Sequence, residues 1–211
     1  MITLSAARCQ RLFVIALLLL TLPGLATPPT ATPTRVQARQ SARNFSTVDT
    51  NGQPVSLASL KGHRVLLLFM RNVGCPVCNR RMYELLEQAN YFQAHNLTVV
   101  AVYESTPEHL REYLTGQPMP FVMVPNPDQS LYQLYGLEIS ASKVLNSLFH
   151  GGLSKAREGK KLFTQPMKQD GNKNRIGAEF LIDEQGTVAV AHYGRYIGDE
   201  LPLASIKNFL R

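Results

Sequence analysis

From Phe45 onward the chain reads as short apolar runs divided by turn residues. The segment FSTVDTNGQPVSL sets Asn51-Gly52 between two β-prone runs, which predicts a hairpin. Residues 64–70, RVLLLFM, are apolar without alternation, as expected of a strand covered on both faces. A helical stripe follows. Cys78, Met82, Leu85, Leu86, Ala89 and Phe92 recur on one face, with Arg80, Arg81, Glu84, Glu87 and Gln88 largely off it. Residues 96–103 predict a second buried strand. In TPEHLREYL a threonine cap and a first-turn proline open a helix. Residues 120–125 predict a third strand, and DQSLYQLYG a short helix closed by Gly136. Residues 137–175 are the least regular and predict an insertion, with one helix near 141–149. AEFLID, EQG and TVAVAHY then form a hairpin, and residues 202–210 a closing helix.

The amino terminus has a different texture. Arg8 and Arg11 precede LFVIALLLLTLPGLA, and Gly24-Leu25-Ala26 supplies small residues for cleavage. Residues 1–26 therefore predict a secretory signal. The alternative is an uncleaved anchor, although the apolar run is short for a full span of about 20 residues. Residues 27–44, rich in Thr, Pro, Ala, Gln and Arg, predict a flexible tether. One domain then spans 45–211, and the protein is expected to be secreted or periplasmic, with the membrane a partner only if the signal stays attached.

With 22 basic and 15 acidic residues, the chain carries +7. Removing Arg8 and Arg11 with the signal leaves 20 − 15, or +5. No basic stripe of the kind nucleic acid requires is present. A modest positive field suits anionic partners or a membrane surface. No phosphate loop, serine elbow, paired-carboxylate or cofactor motif appears.

Of three cysteines, Cys9 lies ahead of the apolar run and departs with the signal, leaving Cys75 and Cys78 in RNVGCPVCNRR. A disulfide closing so short a loop adds little chain entropy, so the spacing points to chemistry. With Cys75 as the helix N-cap, Pro76 takes the first helical position and Cys78 the third. Free amides and the positive dipole end then favour a Cys75 thiolate. Cys78, on the apolar stripe, is expected to be more buried and less acidic. Arg71, Arg80 and Arg81 either support that thiolate or are solvated surface residues. Three classes fit: a redox pair with Cys75 as nucleophile, half of a copper or zinc site, and a non-catalytic interaction module. A metal site needs further ligands, and His63, His95, His109, His150 and His192 form no ligand-spaced pair.

The motif FMRNVGCPVC behind an apolar strand, with DTNGQPVSLASLKGHRVLL upstream and AEFLIDEQGTVAVAHYGRYIGDELPLASI at the end, resembles the alkyl hydroperoxide reductase and thiol-specific antioxidant family of the thioredoxin superfamily. The matching positions are Phe69, Arg71, Gly74, Cys75, Pro76 and Cys78. The resemblance implies a thioredoxin-like α/β fold, a central mixed sheet flanked by helices with an N-terminal β-hairpin. It implies a thiol-dependent oxidoreductase in which Cys75 and Cys78 cycle between dithiol and disulfide, assisted by Arg71. The substrate is a peroxide or a protein disulfide, a thiol reductant restores the pair, and no cofactor is needed. Asn72 stands where the family carries threonine, Leu68 where it carries proline, and Arg175 lies displaced from the family's second arginine. Gly177 occupies the place of the thioredoxin cis-proline. Asn72, Gly74 and Gly177 are the expected substrate contacts.

Overall fold

The computed structural model describes residues 34–116, 119–163 and 168–211; the expected signal and the first part of the expected tether lie outside them. The chain opens with the antiparallel hairpin β1 (Ser46–Val48) and β2 (Pro54–Ser56). Its turn is tied by the Asp49 carboxylate, which accepts the amides of Asn51 and Gln53 at 2.8 Å each. Gly52, at φ 78°, supplies the left-handed step. Strand β3 (Arg64–Phe69) then enters the main sheet, followed by α1 (Pro76–Leu86), α2 (Ala89–Ala94), β4 (Leu97–Tyr103), α3 (Pro107–Leu114) and β5 (Val122–Pro125). After α4 (Ser130–Leu134) come α5 (Ala141–Asn146), a 3-10 turn at Ser147–His150, and α6 (Gly152–Lys161). The closing elements are β6 (Ala178–Ile182), β7 (Val188–Tyr193) and α7 (Leu203–Phe209).

Five strands form one mixed sheet in the order β5-β4-β3-β6-β7, with β3, β4 and β5 parallel and β6 and β7 antiparallel. This is the thioredoxin-like architecture implied by the resemblance. The unbroken apolar run of β3 has its explanation in two cores. Leu66, Leu68 and Met70 pack on one face; Val65, Leu67 and Phe69 pack on the other. The period-two alternation of a strand is present, but both faces are dry.

Three expectations are corrected. The tether reading fails for residues 34–44. Val36 is buried, its amide donates to Tyr193 Oη at 2.7 Å, and Arg39 and Ala42 donate to Val188 O and Gly186 O. This polar segment covers the exposed edge of β7, a job done by backbone groups that composition does not reveal. The single stripe through Phe92 belongs to two helices, since the backbone turns at Glu87-Gln88 while the apolar face stays on the same core. The stretch that the sequence predicts to be irregular beyond one helix holds a further helix, α6, which packs against α1. Among the described residues, no helix is long and apolar enough to cross a membrane.

Candidate active site

The two cysteines sit where β3 ends and α1 begins. Cys75 is the N-cap, with extended backbone, and Pro76 takes the first helical position. The Cys75 sulfur accepts the Cys78 amide N–H at 3.4 Å, and Arg71 Nη1 donates to it at 3.5 Å. The Cys75 thiol is lowered from its ordinary value of 9.0 to about 6. The hydrogen bond from the Cys78 thiol is the largest cause; it outweighs the opposing effect of burial and is joined by the Arg71 charge and the amides of Cys78 and Val77. Cys78 is pushed well above the ordinary thiol value, first by burial, then by its bond to Cys75 and the neighbouring sulfur's charge. Both are free thiols.

The expected difference in acidity is therefore present, but the expected difference in exposure is reversed. Cys75 is 0% exposed and Cys78 7%. The cause is a strap, Lys168–Arg175, laid over the cysteine turn. A methyl group on Gly74 would come within 2.5 Å of Lys168 O, so only glycine lets the strap approach this closely. Arg71 Nη2 donates to Lys173 O.

The strap is anchored twice. Asp170 accepts from Ser105 Oγ at 2.6 Å and the Thr106 amide at 3.2 Å, and it pairs with His109 Nδ1 at 2.7 Å. Ser105 Oγ accepts in turn from the Val73 amide at 3.0 Å, which joins this latch to the cysteine turn. At the far end Glu104, fully buried, takes the Asn172 amide and pairs with Arg175. Arg175 also donates to Gln129 Oε1 and Leu137 O and lies over the Tyr132 ring. Its charge belongs to the root of the strap, whereas Arg71 is the cation at the Cys75 sulfur.

Arg80 and Arg81 follow neither reading offered by the sequence. Arg81 is 2% exposed and is held by Glu179 at 2.9 and 2.6 Å, by Glu84 at 3.0 Å and by Leu201 O at 2.8 Å. Arg80 pairs with Glu200 at 2.7 Å. Burial raises the Glu200 carboxyl above its ordinary value against the pull of Arg80, Arg81 and Lys155. Glu104, Glu179 and Glu200 were absent from the sequence-based site. For Glu104 and Glu179, buried at the end of β4 and inside β6, a glutamate in an apolar run was the available signal, since such groups need a partner. Glu200 lies in the loop before α7 and gave none.

A small pocket opens beside Cys78 rather than Cys75. It is bounded by Cys78, Arg71, Gly177, Glu179, Tyr196 and Glu200 and encloses about 40 Å³. That is room for a few waters or a small oxidant. Gly177 is thus brought to the site, although its carbonyl accepts from the Gly194 amide at 3.0 Å. A methyl group on it would meet Phe69 O at 2.9 Å, so close strand packing also calls for glycine here. Asn72 is fully buried next to the pair, and among the described residues neither its amide nitrogen nor its oxygen has a hydrogen-bond partner. Gly159 of α6 seats on the first turn of α1, where a methyl group would fall 1.8 Å from Pro76 O. Asn79 Nδ2 donates to Gly159 O at 3.1 Å. The insertion therefore supports the cysteine helix from outside. Among the described residues, no group of three or more His, Cys, Asp and Glu side chains is disposed to hold a metal ion.

Comparison with known proteins fits this geometry. Two Mycobacterium tuberculosis proteins carrying provisional peroxiredoxin names are each 24% identical over 160 residues, 76% of this chain and 87% of theirs. Among solved structures, a Chlorobium tepidum protein provisionally named as the thiol:disulfide interchange protein DsbE matches with TM-score 0.57 at 19% identity, covering 84% of this chain and all of that one. Peroxidoxin BcpB of M. tuberculosis matches with TM-score 0.59 at 12% identity, over 83% and 95% of the two chains. At these identities the structural matches speak for the shared fold. The profile of the AhpC/TSA family covers residues 38–191; the chain belongs to that family and is a thiol-dependent oxidoreductase on the thioredoxin fold.

Proposed function

We propose that the protein reduces peroxides with Cys75 as the attacking sulfur and Cys78 as the resolving one. The observation that carries this reading is the enclosed, acidic Cys75 with Arg71 at its sulfur. A thiol at about 6 is a thiolate at neutral pH, and the thiolate is the nucleophile. The Cys75 sulfur attacks one peroxide oxygen, forming S–O as O–O breaks. The departing oxygen takes a proton and leaves as alcohol or water, and Cys75 becomes a sulfenic acid. Cys78 then displaces that hydroxyl, which leaves as water with the Cys78 proton, and a disulfide forms. An external dithiol reduces it by exchange. The unpartnered Asn72 amide supports a role in binding a peroxide oxygen, and Arg71 favours the anionic sulfur throughout.

Peroxide is favoured over a protein disulfide because the strap covers Cys75 and the adjoining pocket is small. Exchange with a protein substrate requires the strap to lift, and the likeness to a disulfide-interchange fold keeps it as the second reading. Export, with cleavage after Ala26, belongs to the same proposal and rests on the residue pattern of the first 26 positions. The test is a pair of variants given limiting peroxide. Cys78→Ser should accumulate a trappable sulfenic acid on Cys75, and Cys75→Ser should not. Mixed disulfides formed without peroxide consumption would move the assignment to disulfide exchange; equal trapping by both variants would overturn the division of roles.

A further inference from the structure

The apolar side chains left open to solvent are not scattered. Of the seven large ones exposed among the described residues, four lie within nine positions: Leu145 at 61%, Leu148 at 48%, Phe149 at 81% and Leu153 at 65%. They run from the end of α5, through the 3-10 turn, to the start of α6. They fall within residues 137–175, the stretch that the sequence pattern predicts to be an insertion. Large apolar side chains gathered this closely on an exposed hairpin are the kind of feature that marks a contact.

The chemistry of the contact is indicated by what stands behind the patch. On α6, Gly152, Lys155, Ala156 and Gly159 face inward, wholly or partly buried. At about 100° per residue, Leu153, Arg157 and Lys160 share the outward face, with Lys161 at its margin, and Glu158, the helix's one acid, is turned roughly 140° from Leu153. Arg157, Lys160 and Lys161 are exposed. Lys143 and Lys155 are engaged by Glu138 and Glu200, whereas those three have no carboxylate partner among the described residues. The face is therefore apolar at the hairpin apex and cationic behind it.

We propose that the α5–α6 hairpin docks this protein on an anionic lipid bilayer, with Phe149 and its leucine neighbours entering the interface and Arg157, Lys160 and Lys161 meeting the phosphates. A bilayer suits the arrangement better than a peptide, because the apolar residues project from a helical turn, as interfacial helices require. The hairpin is also tied firmly to the redox site. Gly159 abuts Pro76, and His150 stacks on Tyr196, at the rim of the pocket beside Cys78, with ring centroids 4.1 Å apart. Docking would hold that pocket at a fixed place relative to the lipid. The proposal concerns the hairpin and stands whichever electrophile Cys75 uses.

The chain contains no tryptophan, so Phe149→Trp in the full-length protein creates a single local reporter. This matters because the apolar run at residues 12–22 can hold the chain on vesicles by itself. Emission from position 149 should shift to the blue and be quenched by brominated acyl chains on phosphatidylcholine vesicles containing about 30% phosphatidylglycerol, and stay unchanged on phosphatidylcholine alone. Val48→Trp, on the hairpin that contacts the far edge strand, should stay unchanged on both. Adding Arg157→Glu, Lys160→Glu and Lys161→Glu to Phe149→Trp should weaken the anionic-vesicle response at least about tenfold. A reporter at 149 blind to anionic vesicles would overturn the proposal and return the patch to a protein partner. An equal response to both vesicle types would overturn the cationic half of it. Unchanged circular dichroism and peroxide turnover in the variants guard against misfolding as the cause.

Discussion

Two buried arginine–glutamate pairs flank the cysteines, and they are built differently. Glu104–Arg175 is closed: side-chain exposures are 0% and 4%, and the remaining partners of Arg175 are neutral. Glu179–Arg81 is the inner end of a network that runs through Glu84, Glu200, Arg80 and Lys155 toward solvent. Each glutamate also accepts a loop amide, Asn172 for Glu104 and Leu201 for Glu179. The same device therefore organises two loops to opposite ends. The closed pair roots the strap that seals Cys75, and the open network walls the pocket beside Cys78. The surroundings of the two cysteines thus differ with how each charge is neutralised, and the small pocket lies on the Cys78 side.

The largest effect should come from breaking the pairs. Removing one partner of a buried pair leaves an uncompensated charge and costs about 3–5 kcal/mol. Glu104→Ala should reach that range in urea unfolding, since among the described residues Arg175 has no second carboxylate. Glu179→Ala should cost less, because Glu84 and Glu200 still act on Arg81. A larger loss for Glu179→Ala would undo the contrast between a closed pair and an open network.

The same contrast explains what the sequence disclosed. The sheet was legible because β3 and β4 carry apolar side chains on both faces, and the cap because Cys75-Pro76 is a local signal that tertiary packing did not override. The enclosure of Cys75 was not legible. It depends on Gly74 meeting Lys168 O and on Asp170 meeting Ser105 and His109, pairs separated by 61–94 residues, as their numbers show. Arg81 misled for a related reason. Off the apolar stripe of an isolated helix it reads as surface, and only the adjacent strand supplies Glu179. Glycine was ambiguous as well: Gly177 and Gly159 are explained by close backbone approach, which no local pattern specifies.

The next effect concerns the latch. Asp170→Asn keeps the shape but removes the negative charge that Ser105, Thr106 and His109 address. Hydrogen bonds to charged groups contribute about 1.5–3 kcal/mol each. Losing the equivalent of one should raise the open population of the strap about tenfold. In a Cys78→Ala background, the alkylation rate of Cys75 by a neutral reagent should rise by that factor at unchanged thiolate fraction. An unchanged rate would mean that Asp170 does not hold the strap closed. The Asp170 carboxyl lies below its ordinary value, with the Ser105 and His109 bonds overcoming burial. Its contribution is therefore present above the ordinary carboxylate range and is lost as pH falls through the lowered value, so acid should open the wild-type strap and neutral pH should not.

The smallest effect separates the causes of Cys75 acidity. The Cys78 thiol is the largest lowering influence and the Arg71 charge a lesser one. Followed by alkylation against pH, wild-type Cys75 should titrate at about 6. Cys78→Ala should raise that midpoint more than Arg71→Ala, and both variants should carry less thiolate than the wild type at about pH 6. The sign carries over to stability. A thiol whose folded value is depressed stabilises the reduced protein above the unfolded thiol range, and that contribution fades as pH falls toward about 6. The raised Cys78 acts oppositely above the ordinary thiol range, where unfolding releases its proton. Reduced wild-type protein should therefore gain stability from about pH 6 upward and lose it again in strong alkali, while Cys75→Ser should lack the rising limb. A larger midpoint shift for Arg71→Ala than for Cys78→Ala would make the arginine, rather than the neighbouring thiol, the principal source of the reactive sulfur.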